Sequence, residues 1–146
     1  MRKFELVKDA PKGAVLPTRK TKGSAGYDFY IPHDLKLPPH SYSPLIKTGV
    51  KAYMPEDEVL LLYIRSSVAL RYGIVLANGT GVIDSDYVDN PANEGDIGLV
   101  LFNNSAYTVN LNKGERIMQG VFVKYHKTDD DKTEEERKGG TGSTGK

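Results

Sequence analysis

Two carboxylates one residue apart, Asp84 and Asp86, follow a glycine-bearing turn and precede a tyrosine in the run Asn78-Gly79-Thr80-Gly81-Val82-Ile83-Asp84-Ser85-Asp86-Tyr87. A carboxylate held beside a bound substrate can take a proton from water, and a positioned general base contributes about 10²–10⁴ in rate. Gly79 and Gly81 lack a Cβ, which permits positive φ and lets main-chain groups approach something flat. On an extended backbone Asp84 and Asp86 share one face and Ile83 and Ser85 the other, so one acid can serve a site without burying both. Taken alone, the run also suits an ordinary β-hairpin with polar residues at its exit.

Three further stretches carry polar groups that could serve a site, the first and third of them suited to an anion. Arg65-Ser66-Ser67 lies where an apolar strand meets the start of a short helix, and an arginine there offers a planar fork for phosphate oxygens. Gly114-Glu115-Arg116-Ile117-Met118-Gln119-Gly120 reads as a strand that begins with an arginine and carries a glutamine three residues on, on the opposite face. Arg137-Lys138-Gly139-Gly140-Thr141-Gly142-Ser143-Thr144-Gly145 has the composition of a phosphate-cradling loop, without the Walker spacing and with no helix to follow it. In isolation these also read as a capped helix, an amphipathic strand and a plain terminus.

The elements that would position these groups are short strands. Alternation and β propensity predict strands over 27–31, 50–54, 59–64, 97–102, 107–111 and 116–125, with an edge strand and loop before residue 16. Pro32, Pro38, Pro39 and Pro44 leave no room for a helix between Ile31 and Leu45. Leu60-Leu61-Leu62-Tyr63-Ile64 is apolar on both faces, which suits a strand inside a sandwich or at a subunit contact. Residues 65–73 predict the one helix, with serine caps and a glycine stop. Asn112-Lys113-Gly114 predicts a hairpin turn. The pattern is that of an all-β sandwich or jelly roll.

At 146 residues the chain fits one β domain, residues 1–125, followed by a charged, glycine-rich arm, residues 126–146, with no apolar anchor of its own. Twenty Lys and Arg against 19 Asp and Glu give no general field for a nucleic-acid polymer or an anionic membrane. No apolar run reaches the roughly 20 residues that cross a bilayer. With no cysteine and no apolar signal core at Met1-Arg2-Lys3-Phe4, the expectation is an intracellular, cytoplasmic protein.

Ala25-Gly26-Tyr27-Asp28, Arg65-Ser66-Ser67, residues 78–87, Gly114-Glu115-Arg116-Ile117-Met118-Gln119 and the glycine-rich run 139–145 stand in the order and rough spacing of five motifs. In this the chain resembles the trimeric dUTP pyrophosphatases. Five patterns in register over nearly the whole chain are far more specific than any one. The resemblance implies an all-β jelly roll of the β-clip type with one short helix, assembled as a homotrimer with shared active sites. It implies a hydrolase of nucleotide metabolism that converts dUTP to dUMP and pyrophosphate, which supplies dUMP and limits uracil in DNA. Mg²⁺ would be held mainly by the triphosphate, with no metal ligands from the chain.

By resemblance, Asp84 is the general base that turns a water on the α-phosphorus. Asn78, Gly81, Val82 and Ile83 belong to the turn that reads uracil, and Tyr87 packs under the sugar and excludes a 2′-hydroxyl. Gly98 brings strand backbone near the nucleoside. Arg65, Ser66, Ser67 and Gln119 hold phosphates, and Arg137, Thr141, Gly142, Ser143 and Thr144 close over the site from a neighbour's arm. Asp28 and Asp86 act by fixing neighbouring groups. Thr141 stands where the family usually has an aromatic ring, Arg137 lies closer to the glycine run than in many members, and residues 88–94 form a longer link than usual.

Two alternatives stay open on sequence. One is dCTP deaminase, which shares a similar fold and an Arg-Ser-Ser, but which needs a glutamate where Leu99-Val100-Leu101-Phe102-Asn103 offers none. The other is a non-catalytic nucleotide-binding regulatory protein that uses the longer link and the arm for a partner.

Overall fold

A computed structural model of the chain describes residues 1–142. In order, the strands are β1 (Lys3–Leu6), β2 (Tyr27–Tyr30), β3 (Leu35–Leu37), β4 (Ile46–Lys47), β5 (Val50–Tyr53) and β6 (Glu58–Ile64). The helix α1 (Ser66–Tyr72) follows, then β7 (Ile74–Leu76), β8 (Gly81–Asp84), β9 (Gly98–Leu99), β10 (Leu101–Asn103), β11 (Val109–Leu111) and β12 (Arg116–Lys124).

The pairs are nested. β2, β3 and β4 meet β12, β11 and β9 in reverse order, all antiparallel, as a long hairpin does when it is rolled up on itself. That is the jelly-roll way of giving short strands partners from distant parts of the chain. The largest sheet runs β2-β12-β6-β8. Its inner face carries Leu60, Leu62, Phe29 and Met118, each at most 2% exposed, and these join Ile31, Ile74, Ile97, Leu101, Leu111 and Ile117 in one core. Phe4 closes one end of the core edge-on against Phe29, with ring centroids 5.6 Å apart.

Four sequence expectations change. Asn112-Lys113-Gly114 does form a turn, with Gly114 at φ 89°, but β11 pairs with β3 and not with β12, so the turn joins two sheets and closes no hairpin. The strand expected over 97–102 divides at Val100, because β9 pairs with β4 and β10 with β7. The helix has its glycine stop, Gly73 at φ 68°, but no serine cap: Arg65 holds the N-cap position and no side chain caps it. Ser66 and Ser67 are exposed in the first turn instead.

The fourth change matters most for the site. β12 opposes Tyr30 with Arg116 and Phe29 with Met118, so its register slips at Ile117. A bulge of this kind inserts one residue and reverses the alternation beyond it. Arg116 and Gln119, expected on opposite faces, therefore lie on the same face, across from Tyr30 and Asp28.

Candidate functional site

β8 delivers Asp84 at its last position, opposite Val59 of β6. The approach to β8 is a tight turn: Gly79 sits at φ 75°, its N–H donating to the Leu76 carbonyl at 3.0 Å. Gly81 was expected to use the same freedom, but its φ is not positive, and it is needed for a different reason. It lies opposite Leu62, and a Cβ there would come within 2.9 Å of the Leu62 Cβ. Beyond Asp84 the chain turns, the Tyr87 N–H donating to the Asp84 carbonyl at 3.1 Å. Asp86 therefore shares a side with Asp84 through a turn and not through strand alternation.

A single guanidinium reads both acids. Arg137 donates from Nη2 to Asp84 Oδ2 at 2.6 Å and from Nε to Asp86 Oδ1 at 2.8 Å, and its charge centre stands 5.6 Å from the Tyr87 ring centre. The arm, expected to close over a neighbour's site, lies here over Asp84, Asp86 and Tyr87 of its own chain, held by ionic and polar contacts where apolar ones are lacking. Asn78, Gly81, Val82, Ile83, Asp84, Tyr87 and Gly98 line a cleft of about 240 Å³ that Arg137, Gly140, Thr141 and Gly142 complete. Ligand pockets commonly enclose about 300–1,000 Å³, so this cleft suits part of a nucleotide. The expected roles of Ser143 and Thr144 lie outside the described residues.

The cationic residues gather elsewhere. Arg65, Ser66 and Gln119 line a second cleft together with Arg116, Gly26 and Asp28. Asp28, 9% exposed, accepts from Arg116 Nη1 at 2.9 Å and stands 3.5 Å from Arg65 Nε, so one carboxylate fixes two guanidinium groups. Gly26 makes room for Gln119, since a Cβ there would lie 2.4 Å from Gln119 Oε1. Ser67 faces a neighbouring cleft with Arg65 and Arg71. Sequence reasoning did not assign Arg116 a role, because only the bulge turns it toward Asp28; Gly26 was visible inside the Ala-Gly-Tyr-Asp run.

The link 88–94 winds around two asparagines. Asn90 Oδ1 accepts from the N–H groups of Ala92 and Asn93, each at 3.0 Å, and its Nδ2 donates to the Tyr87 carbonyl at 2.7 Å. The loop is moored to β5: Lys51, 8% exposed, donates to Asp89 at 2.6 Å and Glu94 at 2.8 Å. The Lys51 hydrogen bond holds both carboxyls below their ordinary range, and they in turn push the Lys51 ammonium up. Next along the chain, burial raises the Asp96 carboxyl, opposed by the Gly49 N–H that donates to it at 2.8 Å.

Comparisons with known proteins agree with this geometry. The family model described as dUTPase matches residues 12–145. The deoxyuridine 5'-triphosphate nucleotidohydrolase of Lactococcus lactis subsp. lactis is 45% identical over 99% of this chain and 98% of that protein. The enzyme of the same name from Wolinella succinogenes is 35% identical over 82% of this chain and 74% of its own length. Among solved structures, a dUTPase from Streptococcus mutans superposes with a TM-score of 0.79 at 44% identity, over 86% of this chain and 98% of that one. A Staphylococcus bacteriophage 80alpha dUTPase with dUpNHpp gives a TM-score of 0.75 at 26% identity, over 92% of this chain and 89% of that one. With nearly every residue inside the family match and a relative aligned end to end, the chain belongs to the dUTPase family.

Proposed function

We infer that the protein hydrolyses dUTP to dUMP and pyrophosphate, with Asp84 as the base that orients and deprotonates the attacking water. The observation that carries the reading is the placement of that carboxylate at a strand end, in a cleft walled by the 78–81 turn and Tyr87, in a chain of this family. The turn's backbone would pair with uracil edge-on, and the buried Tyr87 ring would leave no space for a 2′-hydroxyl. Arg65, Ser66, Gln119 and the newly assigned Arg116 would hold phosphate oxygens, and such preplaced donors supply more of the rate than the base alone.

Mg²⁺ fits as an ion that arrives on the substrate. The phosphate-side cleft offers donors, its one acid Asp28 lying between two arginines. Mg²⁺ keeps most of its waters and commonly sits on substrate phosphates. There it would neutralise charge on the leaving pyrophosphate. One of the solved relatives, a dUTPase from phage phi11, is described with a structural Mg(II) ion.

Two features support a homotrimer with shared sites. Met118 lines the nucleoside-side cleft and Gln119 the phosphate-side cleft, yet they are consecutive on β12 and leave opposite faces of the sheet. Among the described residues none lines both clefts, so a nucleotide in one would find its remaining partners on another copy. The outer face of the same sheet exposes Tyr63, Val82 and Val123, an apolar strip that suits a subunit contact. Among the described residues no helix is long and apolar enough to cross a membrane.

The test is incubation with each deoxynucleoside triphosphate and Mg²⁺. Pyrophosphate from dUTP alone is the expected result. Ammonia from dCTP would point to deamination, and no release from any substrate would point to a binding protein.

A further inference from the structure

In the link 88–94, Asp89, Pro91 and Ala92 are exposed while Asn90 is buried. Asn93, half-buried, holds the tip of Tyr87. Its Nδ2 donates to the Tyr87 hydroxyl at 2.8 Å, and its Oδ1 accepts from the Gly95 N–H at 3.0 Å and from Asn90 Nδ2 at 2.7 Å. The Tyr87 hydroxyl donates in turn to the Asp96 carbonyl at 3.1 Å. With its one hydrogen committed there, it meets Thr141 Oγ1, 3.2 Å away, as an acceptor. All bonding positions of the phenol are then filled by protein, and the ring is pinned at both its backbone and its far end.

The other side of the same carboxamide carries the arm. Gly140 is buried flat on Asn93: a Cβ at position 140 would lie 2.9 Å from Nδ2 and 3.0 Å from Cγ of Asn93. Asn93, Tyr87 and Thr141 therefore form a continuous hydrogen-bonded chain from the link to the arm, at the position where Thr141 supplies a hydroxyl and no ring. Lys51 keeps the far side of the link in place through Asp89 and Glu94.

We propose that Asn93 is a positioning residue for nucleotide hydrolysis, its carboxamide fixing the Tyr87 hydroxyl with one face while seating Gly140 of the C-terminal arm. This rests on the dUTP reading for its kinetic consequence but not for its structural one. A seat that holds the sugar platform and the lid acts on how substrate is gripped, so it governs KM more than kcat.

Asn93→Asp is the discriminating substitution, since it keeps the acceptor for Gly95 and Asn90 and exchanges the donor to Tyr87 for an anionic oxygen, which the phenol can meet only by turning its hydrogen away from the Asp96 carbonyl. That disrupted network is expected to raise KM for dUTP about five-fold, with kcat within about two-fold. In a Tyr87→Phe background the same change should shift KM by less than about two-fold, because the bond is already gone. Arm docking is read separately. The chain has no cysteine, so a fluorophore on a cysteine in place of Lys146 reports it by anisotropy, which should fall in Asn93→Asp and in Gly140→Ala. Equal KM shifts in both backgrounds, or unchanged KM and anisotropy, would overturn the assignment. If the wild-type chain fails to hydrolyse dUTP, the functional reading falls while anisotropy still decides whether Asn93 seats the arm.

Discussion

Asp84→Asn separates the chemistry of the carboxylate from its contact with the arm. The side chain does two things: it opens into the cleft as the proposed base, and it holds one branch of Arg137 at 2.6 Å. The second role is shared with Asp86, whose carboxylate takes the Nε branch at 2.8 Å. Both acids are more than half exposed, 53% and 57%, so each pair contributes only about 0.2–1 kcal/mol. That is at most about five-fold in any arm-dependent constant.

Loss of a general base is larger, about 10²–10⁴ in rate. Asp84→Asn should therefore lower kcat at least ~100-fold, with KM changed by no more than about five-fold. Asp86→Asn, which loosens Arg137 equally, should leave kcat within about five-fold. Pyrophosphate release under saturating dUTP gives kcat, and titration with a non-hydrolysable dUTP analogue gives binding. Equal losses in the two variants would show that Asp84 matters only as an anchor for the arm, and an unchanged rate in Asp84→Asn would reject the base altogether.

Three other outcomes follow from the same geometry. Asp28→Asn leaves Arg65 and Arg116 side by side without their shared acid; a loss of about 2 kcal/mol in urea unfolding is expected, reduced from a fully buried pair because both arginines are a quarter or more exposed, and added pyrophosphate should restore part of it. Gly81→Ala forces a methyl to 2.9 Å from the Leu62 Cβ and should cost about 1–3 kcal/mol, whereas Gly79→Ala meets open space and costs only its left-handed backbone, about 1–2 kcal/mol in the same assay. Asp96 has its carboxyl raised by burial, so the fold binds its proton more tightly than the unfolded chain and loses stability as pH climbs through that range. Asp96→Asn keeps the acceptor for the Gly49 N–H and should raise Tm by ~1–3 °C at pH 7, with the gain gone below the ordinary carboxyl value near pH 4.

Strand positions were legible because local signals agree with the fold: the 27–31 and 59–64 expectations fall on β2 and β6, where alternation and turn residues coincide. Partners were not legible. Nothing near Asn112-Lys113-Gly114 says that β11 will pair with a strand some 70 residues earlier, since a turn residue fixes a backbone angle and not a sheet. The bulge at Ile117 was hidden for a related reason, as it is visible only in the register against β2. For the site, the five motifs named the residues around both clefts, but the roles of Asn90 and Asn93 depend on folding a link back under Tyr87, for which polar composition alone gives no direction.

The near-zero net charge of the chain looks unsuited to a triphosphate until the pairs are located. Every arginine at the two clefts that could meet a phosphate already faces a carboxylate or a carbonyl: Arg65 and Arg116 face Asp28, Arg65 also donates to the Arg116 carbonyl, and Arg137 faces Asp84 and Asp86. A guanidinium held this way has lost its side-chain freedom and much of its hydration before any ligand arrives, which removes a large part of the cost of binding an anion. The carboxylates differ in what they can give up. Asp28 is buried and locked between two cations, so it aims them without leaving; Asp84 and Asp86 are exposed and share one cation, so an arriving phosphate can compete for Arg137. On the proposed mechanism, the acid that stays paired aims its cations, and Asp84, whose partner can be drawn away, is left to take a proton from water.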